Sequence, residues 1–183
     1  MEQRANLIVS SWLAELRMQG LGQGMELSDF SIMTDYNNDI RQIGMEQGAS
    51  ERDMDNYLTQ QKALGITTDA VTINGKTYIN TASNTTFGMN LTASGFNSSG
   101  ITLTTNQGEE ITQSDAAKAG GTLLSHERKH QKGEASETKA YTEQIRILDK
   151  FGPTFSSPGV YNYFRERSQS AKSEALREEK IFR

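Results

Sequence analysis

Apolar residues recur at helical spacing in the first third of the chain. Over residues 3–18 they return every third or fourth position, which predicts an amphipathic helix with Trp12 in its buried face. A second helix is predicted over residues 51–64, after a capping-box pattern and before a glycine. Residues 28–47 have near-helical spacing that Asn37-Asn38 interrupts, and their fold is left open apart from a turn.

The middle of the chain has a pattern typical of strands. Two β-branched runs flank Asn74-Gly75 between Val71 and Ile79, which predicts a β-hairpin. Apolar and polar residues alternate over 101–105, which predicts another strand, whereas residues 80–99 are small and polar and predict a long loop or an edge strand. Together these segments predict a small antiparallel sheet.

Helical spacing returns after this β-rich part. Ser114-Asp115 is an N-cap pattern for a helix that runs to Lys132. Gly133 can adopt the left-handed conformation that ends a helix, so the chain is expected to reverse into an antiparallel helix over about 134–150. Ser157-Pro158 then predicts the start of a further short helix.

These elements predict one α+β domain over residues 1–183. Residues 1–65 form a helical N-terminal part, and residues 66–112 form a β-rich part. Residues 113–164 form two helices with a short helix after them. Residues 165–183 form a charged tail that is a solvated helix or a frayed end. Charge supports these divisions, because the first 65 residues carry 15 charged side chains, the next 60 carry only 6 and the last 58 carry 21.

The composition limits the classes of function. A formal net charge of −4 and a pI near 5.3 argue against a general nucleic-acid surface. The chain has no cysteine, which excludes disulfides and thiolate metal sites. No apolar run predicts a membrane span, and the first residues lack the pattern of a signal peptide, so export is expected only as part of a larger polypeptide.

The candidate chemistry is in the pattern H-E-x-x-H. His126 and His130 are the only two histidines of the chain, and on a helix they lie on one face, one turn apart, where both can bind one metal ion. Glu127 lies on the flank of that face, where it suits a general base. The alternative is a charged, solvated helix, since Arg128 and Lys129 are charged.

A catalytic zinc ion needs a third protein ligand and an open fourth position. With no further histidine and no cysteine, the third ligand must be a carboxylate. The candidates lie on the predicted antiparallel helix over about 134–150, and they are Glu134, Glu137 and Glu143. Glu137 is favoured, because it clears the loop and begins the string Glu-Thr-Lys-Ala-Tyr, which ends in Tyr141 one turn above it.

The H-E-x-x-H pattern, followed by a helix that carries E-x-x-A-Y, resembles the gluzincin class of zinc metallopeptidases. More narrowly, it resembles the compact metallopeptidase domains, toxin and effector types included, at the C-termini of large secreted bacterial proteins. The resemblance covers about residues 120–150. It implies a zincin-like fold, zinc held by His126, His130 and Glu137, and Glu127 as the base that activates water.

This resemblance implies a peptidase acting on a protein or peptide substrate. Tyr161 is the candidate to stabilise the oxyanion, with Tyr141 and Tyr163 as the other nearby tyrosines. By analogy with the class, the strand at 101–105 is expected to hold the substrate beside the zinc helix. Two other functions remain open: a non-enzymatic module that binds a partner through its polar β region, and a zinc site that only stabilises the fold.

Overall fold

The computed structural model describes residues 2–33, 35–63, 70–73, 75–80 and 103–181. Within these ranges the chain is an α+β fold, which confirms the predicted class. The α-helices are Glu2–Met18 (α1), Tyr36–Glu46 (α2), Glu51–Ala63 (α3), Gln113–Gln131 (α4), Glu137–Phe151 (α5) and Pro158–Ile181 (α6). The strands are Phe30–Met33 (β1), Ala70–Ile73 (β2), Lys76–Asn80 (β3), Leu103–Thr104 (β4) and Glu110–Ile111 (β5).

The main sheet has the strand order β1-β3-β2 and is mixed rather than antiparallel. Strands β2 and β3 form the predicted hairpin, in which Ile73 pairs with Lys76 and Gly75 takes a φ of +79°. Strand β1, which the sequence did not predict, runs parallel to β3. A parallel pair needs a long crossover, and helices α2 and α3 lie in the segment between these two strands.

The predicted strand at 101–105 is present at Leu103–Thr104, and residues 101 and 102 lie outside the described ranges. It pairs with β5 in a separate two-stranded ladder. Of residues 80–99, for which a loop or an edge strand was expected, Asn80 is the last residue of β3 and residues 81–99 lie outside the described ranges.

Helix α1 packs closely against α4 through two glycines. Trp12 and Leu16 of α1 are fully buried, as the helical spacing predicted for this face. A Cβ atom on Gly120 would lie 2.3 Å from the indole ring of Trp12, and one on Gly121 would lie 3.1 Å from Leu16. Since no side chain fits between the helices there, the glycine pair lets α1 and α4 approach each other.

Helix α6 continues through the segment for which a solvated helix or a frayed tail was expected. Ser168 and Ala175 are buried, and the carboxylate of Glu179 accepts hydrogen bonds from the Thr138 N–H at 3.1 Å and from the Ser136 hydroxyl at 2.9 Å. The end of α6 therefore holds the first turn of α5. None of the described helices is both long enough and apolar enough to cross a membrane.

Candidate metal centre

Three potential metal ligands converge where α4 meets the start of α5. One ligand atom from each of His126, His130 and Glu137 lies within 4.8 Å of the other two. His126 and His130 are one turn apart on α4, and Glu137 is the first residue of α5. These are the three residues that the sequence singled out.

The short connection between the helices brings Glu137 to the histidines. Gly133 takes a φ of +97° and its N–H donates to the carbonyl of His130 at 3.0 Å, so the chain reverses there as predicted. Helix α5 begins at Glu137 rather than near residue 134, because the Ser136 hydroxyl accepts a hydrogen bond from the N–H of Lys139 and so caps the helix. Glu137 thus reaches the site from the first turn of α5.

The carboxylate of Glu137 bridges the two imidazoles. Its Oε2 lies 3.1 Å from Nε2 of His126, and its Oε1 lies 2.7 Å from Nε2 of His130. This carboxylate raises the pKa of His130 to about 9. Partial burial favours the protonated acid, but hydrogen bonding by both histidines outweighs it and lowers the pKa of Glu137 to about 2.

The backbone at Glu134 orients His130. The Nδ1–H of His130 donates to the carbonyl oxygen of Glu134 at 2.6 Å, which leaves Nε2 as the nitrogen that faces Glu137. The other two candidate carboxylates have different partners, since the Glu134 side chain lies 3.8 Å from Lys139 and Glu143 pairs with Arg146 at 2.6 Å.

The donor set fits a zinc ion. The Nε2 atoms of both histidines face the Glu137 carboxylate, at 3.1 Å for His126 and 2.7 Å for His130. Two imidazole nitrogens and one carboxylate make up the three-ligand set of many catalytic zinc sites. The Glu137 side chain is 50% exposed whereas that of His126 is 4% exposed, so the site is closed on the helix side and open to solvent on the other.

Glu127 lies beside this cluster without belonging to it. Its carboxylate is buried, and its Oε1 is 3.8 Å from Nε2 of His126. The hydroxyl of Thr72 on β2 donates to its Oε2 at 2.7 Å. Burial raises the pKa of Glu127 above its usual range, although the nearby histidines and the Thr72 hydrogen bond oppose this shift. A buried carboxylate held beside three potential metal ligands could act as a general base.

The structure does not bring Tyr161 to the cluster, so its expected role as oxyanion stabiliser is corrected. Its hydroxyl donates to Asp149 at 2.5 Å. Asp149 is twelve residues beyond Glu137 on α5, which is about 18 Å along the helix axis. Tyr141 is the tyrosine beside the histidines, with its ring centroid 4.4 Å from that of His126 in an edge-to-face contact.

The charged residues inside the motif point away from the cluster. Arg128 donates to the carbonyl of Gly24 at 3.2 Å and to Oε1 of Gln131 at 3.1 Å, and it lies 3.8 Å from Asp29. Lys129 is exposed. Arg128 therefore binds the segment that follows α1, and its charge is compatible with a buried His126.

Among the described strands, β2 is the one that reaches Glu127 on the motif-bearing helix, while Leu103–Thr104 of the predicted substrate strand pairs with β5. Strand β2 packs on α4, and Thr72 reaches from it to Glu127. Among the described strands β2 is an edge of its sheet. The sequence could have paired Thr72 with Thr77 across the hairpin turn, but it held no signal that linked either residue to Glu127, 55 positions away from Thr72.

In comparisons with known proteins, the chain matches no family model, no curated protein and no solved structure. The chemistry of the His126, His130, Glu137 and Glu127 group is therefore the basis for a functional assignment.

Proposed function

We propose that this chain is a zinc-dependent peptidase that hydrolyses a protein or peptide substrate. The observation that carries the proposal is the placement of Glu127. This carboxylate is buried 3.8 Å from a nitrogen of His126, yet the ligand-atom group consists of His126, His130 and Glu137. A site that only stabilised the fold would need its ligands but no such additional carboxylate.

The number of ligands also favours catalysis over a structural zinc ion. Structural sites usually have four protein ligands, and catalytic sites have three with one open position. Within the described residues the group contains three, and its Glu137 side is open to solvent. A substrate can approach from that side.

Zinc bound by these three side chains would polarise a substrate carbonyl and lower the pKa of a water molecule. Glu127 would accept a proton from the attacking water while the water oxygen bonds to the carbonyl carbon of the substrate. The same carboxyl group then returns the proton to the leaving nitrogen as the carbon–nitrogen bond breaks.

Strand β2 is the proposed support for an extended substrate. It packs on α4 and forms an edge of the described three-stranded sheet, so its outer backbone groups suit pairing with a peptide. The resemblance of the motif adds the proposal that the chain belongs to an exported bacterial polypeptide.

Metal analysis and one substitution test the function. Protein purified without affinity metals is expected to contain one zinc ion per chain. Glu127→Gln keeps the side-chain shape and is expected to retain zinc, while cleavage of a peptide library read by mass spectrometry falls at least about 10²-fold. A parent protein without zinc would refute the proposal. If both forms cleave equally, Glu127 is not the base; if both bind zinc and neither cleaves, the site is structural.

A further inference from the structure

A chain of hydrogen bonds leads from the sheet to the buried carboxylate of Glu127. Nε2 of Gln131 donates to Oγ1 of Thr77 at 2.7 Å. The hydroxyls of Thr77 and Thr72 are 2.7 Å apart, and Thr72 donates to Oε2 of Glu127 at 2.7 Å. Three short contacts therefore connect an amide on α4, through two strands, to a carboxylate on the same helix.

The regular spacing of helix and hairpin produces this chain. Glu127 and Gln131 are four residues apart, so they lie on one face of α4. Thr72 and Thr77 are directly opposite each other in the antiparallel register of β2 and β3, so their side chains share one face of the sheet. Because α4 packs on this hairpin, the two pairs meet.

The orientation of the Gln131 amide is set by partners of known polarity. Its Oε1 accepts from Arg128, whose guanidinium can only donate. Its Nε2 donates to the carbonyl oxygen of Asp29 at 3.3 Å, and a carbonyl can only accept. The group that faces Thr77 is therefore the NH₂ donor.

The two ends of the chain set the direction of the hydrogen bond between the two hydroxyls. A hydroxyl has one proton to donate. Thr72 donates its proton to Oε2 of Glu127, so between the two threonines it accepts and Thr77 donates. Thr77 in turn accepts from the amide of Gln131, and Oε2 of Glu127 is the final acceptor.

We propose that Gln131, Thr77 and Thr72 are positioning residues that hold Glu127 as the base, an inference that rests on the proposed peptidase function. The chain occupies Oε2 of Glu127. It leaves Oε1, the oxygen 3.8 Å from Nε2 of His126, to accept the proton of the attacking water. Arg128 contributes by fixing the amide of Gln131.

Removal of one hydroxyl tests the positioning role. Thr72→Val is nearly isosteric and is expected to lower kcat about 10- to 100-fold, as for a catalytic group displaced by up to about 1 Å. The KM for a fluorogenic peptide taken from the library and the zinc content are expected to stay unchanged, because the substitution alters only the Thr72 side chain, which faces Glu127, and leaves the β2 backbone that is proposed to pair with the substrate. Thr72→Ser restores the hydroxyl and is expected to recover most of kcat.

A thermal double-mutant cycle tests the direction of the chain without an activity assay. Gln131→Glu replaces the donor with an acceptor, so Thr77 would donate to the new carboxylate while Thr72 still donates to Glu127, and no proton would remain for the hydrogen bond between the two threonines. In the Thr72→Val background this bond is already absent. The Tm loss of the Gln131→Glu, Thr72→Val double variant is therefore expected to be smaller than the sum of the two single losses.

The outcomes separate this inference from the proposed function. Unchanged kcat in Thr72→Val, beside an active parent, overturns the positioning role and leaves the peptidase proposal intact. Additive Tm losses overturn the directed chain. A parent that binds no zinc overturns both proposals.

Discussion

Replacement of Glu137 by alanine is the sharpest test of the metal centre. The variant removes the one carboxylate that lies between His126 and His130, at 3.1 and 2.7 Å from their Nε2 atoms. It leaves both histidines and the Glu134 carbonyl that orients His130. The measurement is the Tm of each protein by differential scanning fluorimetry, in a chelator and again with added zinc.

The size of the expected effect follows from linkage. At a zinc concentration about 100 times the parent's Kd, binding to the native state alone adds about 2.7 kcal/mol to the free energy of unfolding. For a chain of this length that is a Tm increase of about 5–11 °C. Changes to groups that merely orient a ligand already cost 10- to 100-fold in metal affinity. A loss of about 100-fold or more leaves at most about 0.4 kcal/mol, or about 1–2 °C, for Glu137→Ala.

Glu134→Ala and Glu143→Ala are the matched controls. Their side chains pair with Lys139 and Arg146, so both variants are expected to keep the full zinc-induced shift. Each shift is taken against the same protein in chelator, so a change in metal-free stability cancels. A full shift in Glu137→Ala, or a lost shift in Glu134→Ala, would refute the assignment of the third ligand.

Two further predictions concern packing and pH. Gly120→Ala is expected to lower the free energy of unfolding, measured in urea, by about 1–3 kcal/mol, because the added Cβ would lie 2.3 Å from Trp12. This cost outweighs the better helix propensity of alanine. Gly121→Ala is expected to lower it less, because its Cβ would have its nearest contact at 3.1 Å, with Leu16. In zinc-free protein, His130 binds its proton more tightly folded than unfolded, so its contribution is complete below pH 6.5 and is lost as the pH rises through about 9. The contribution of Glu137 is complete above pH 4.5 and is lost as the pH falls through about 2. The pH-dependent part of the Tm difference between the parent and His130→Gln should therefore be largest between pH 4.5 and 6.5 and be lost as the pH rises through about 9, whereas the part due to the hydrogen bond with the Glu134 carbonyl remains.

Local signals in the sequence predicted the parts of the site that depend on neighbouring residues. The i,i+4 histidines share a helix face because of helix geometry, and Gly133 reverses the chain because it takes a positive φ. The hairpin followed from Asn-Gly between two β-branched runs. These features arise within a few residues of chain, where steric limits, caps and turns act directly.

The beginning of α5 is also encoded locally, and it lies one turn later than the sequence analysis predicts. Ser136 caps the helix, so Glu137 lies in its first turn and Glu134 contributes a backbone carbonyl instead of a side chain. A serine N-cap is visible in a sequence, yet several polar residues near Gly133 could have served. The contact of Glu179 with this turn, more than forty residues away from Ser136, reinforces the choice.

Only the tertiary structure decided which distant residues join the site. It paired Tyr161 with Asp149, about 18 Å along α5 from Glu137, and it put Thr72 of β2 beside Glu127. The parallel pairing of β1 with β3 likewise depends on how α2 and α3 cross between them. Hydrophobic faces can be read from periodicity, but which faces pack together depends on shape and burial across the whole domain. Thr72 therefore meets Glu127 only because the hairpin packs on α4.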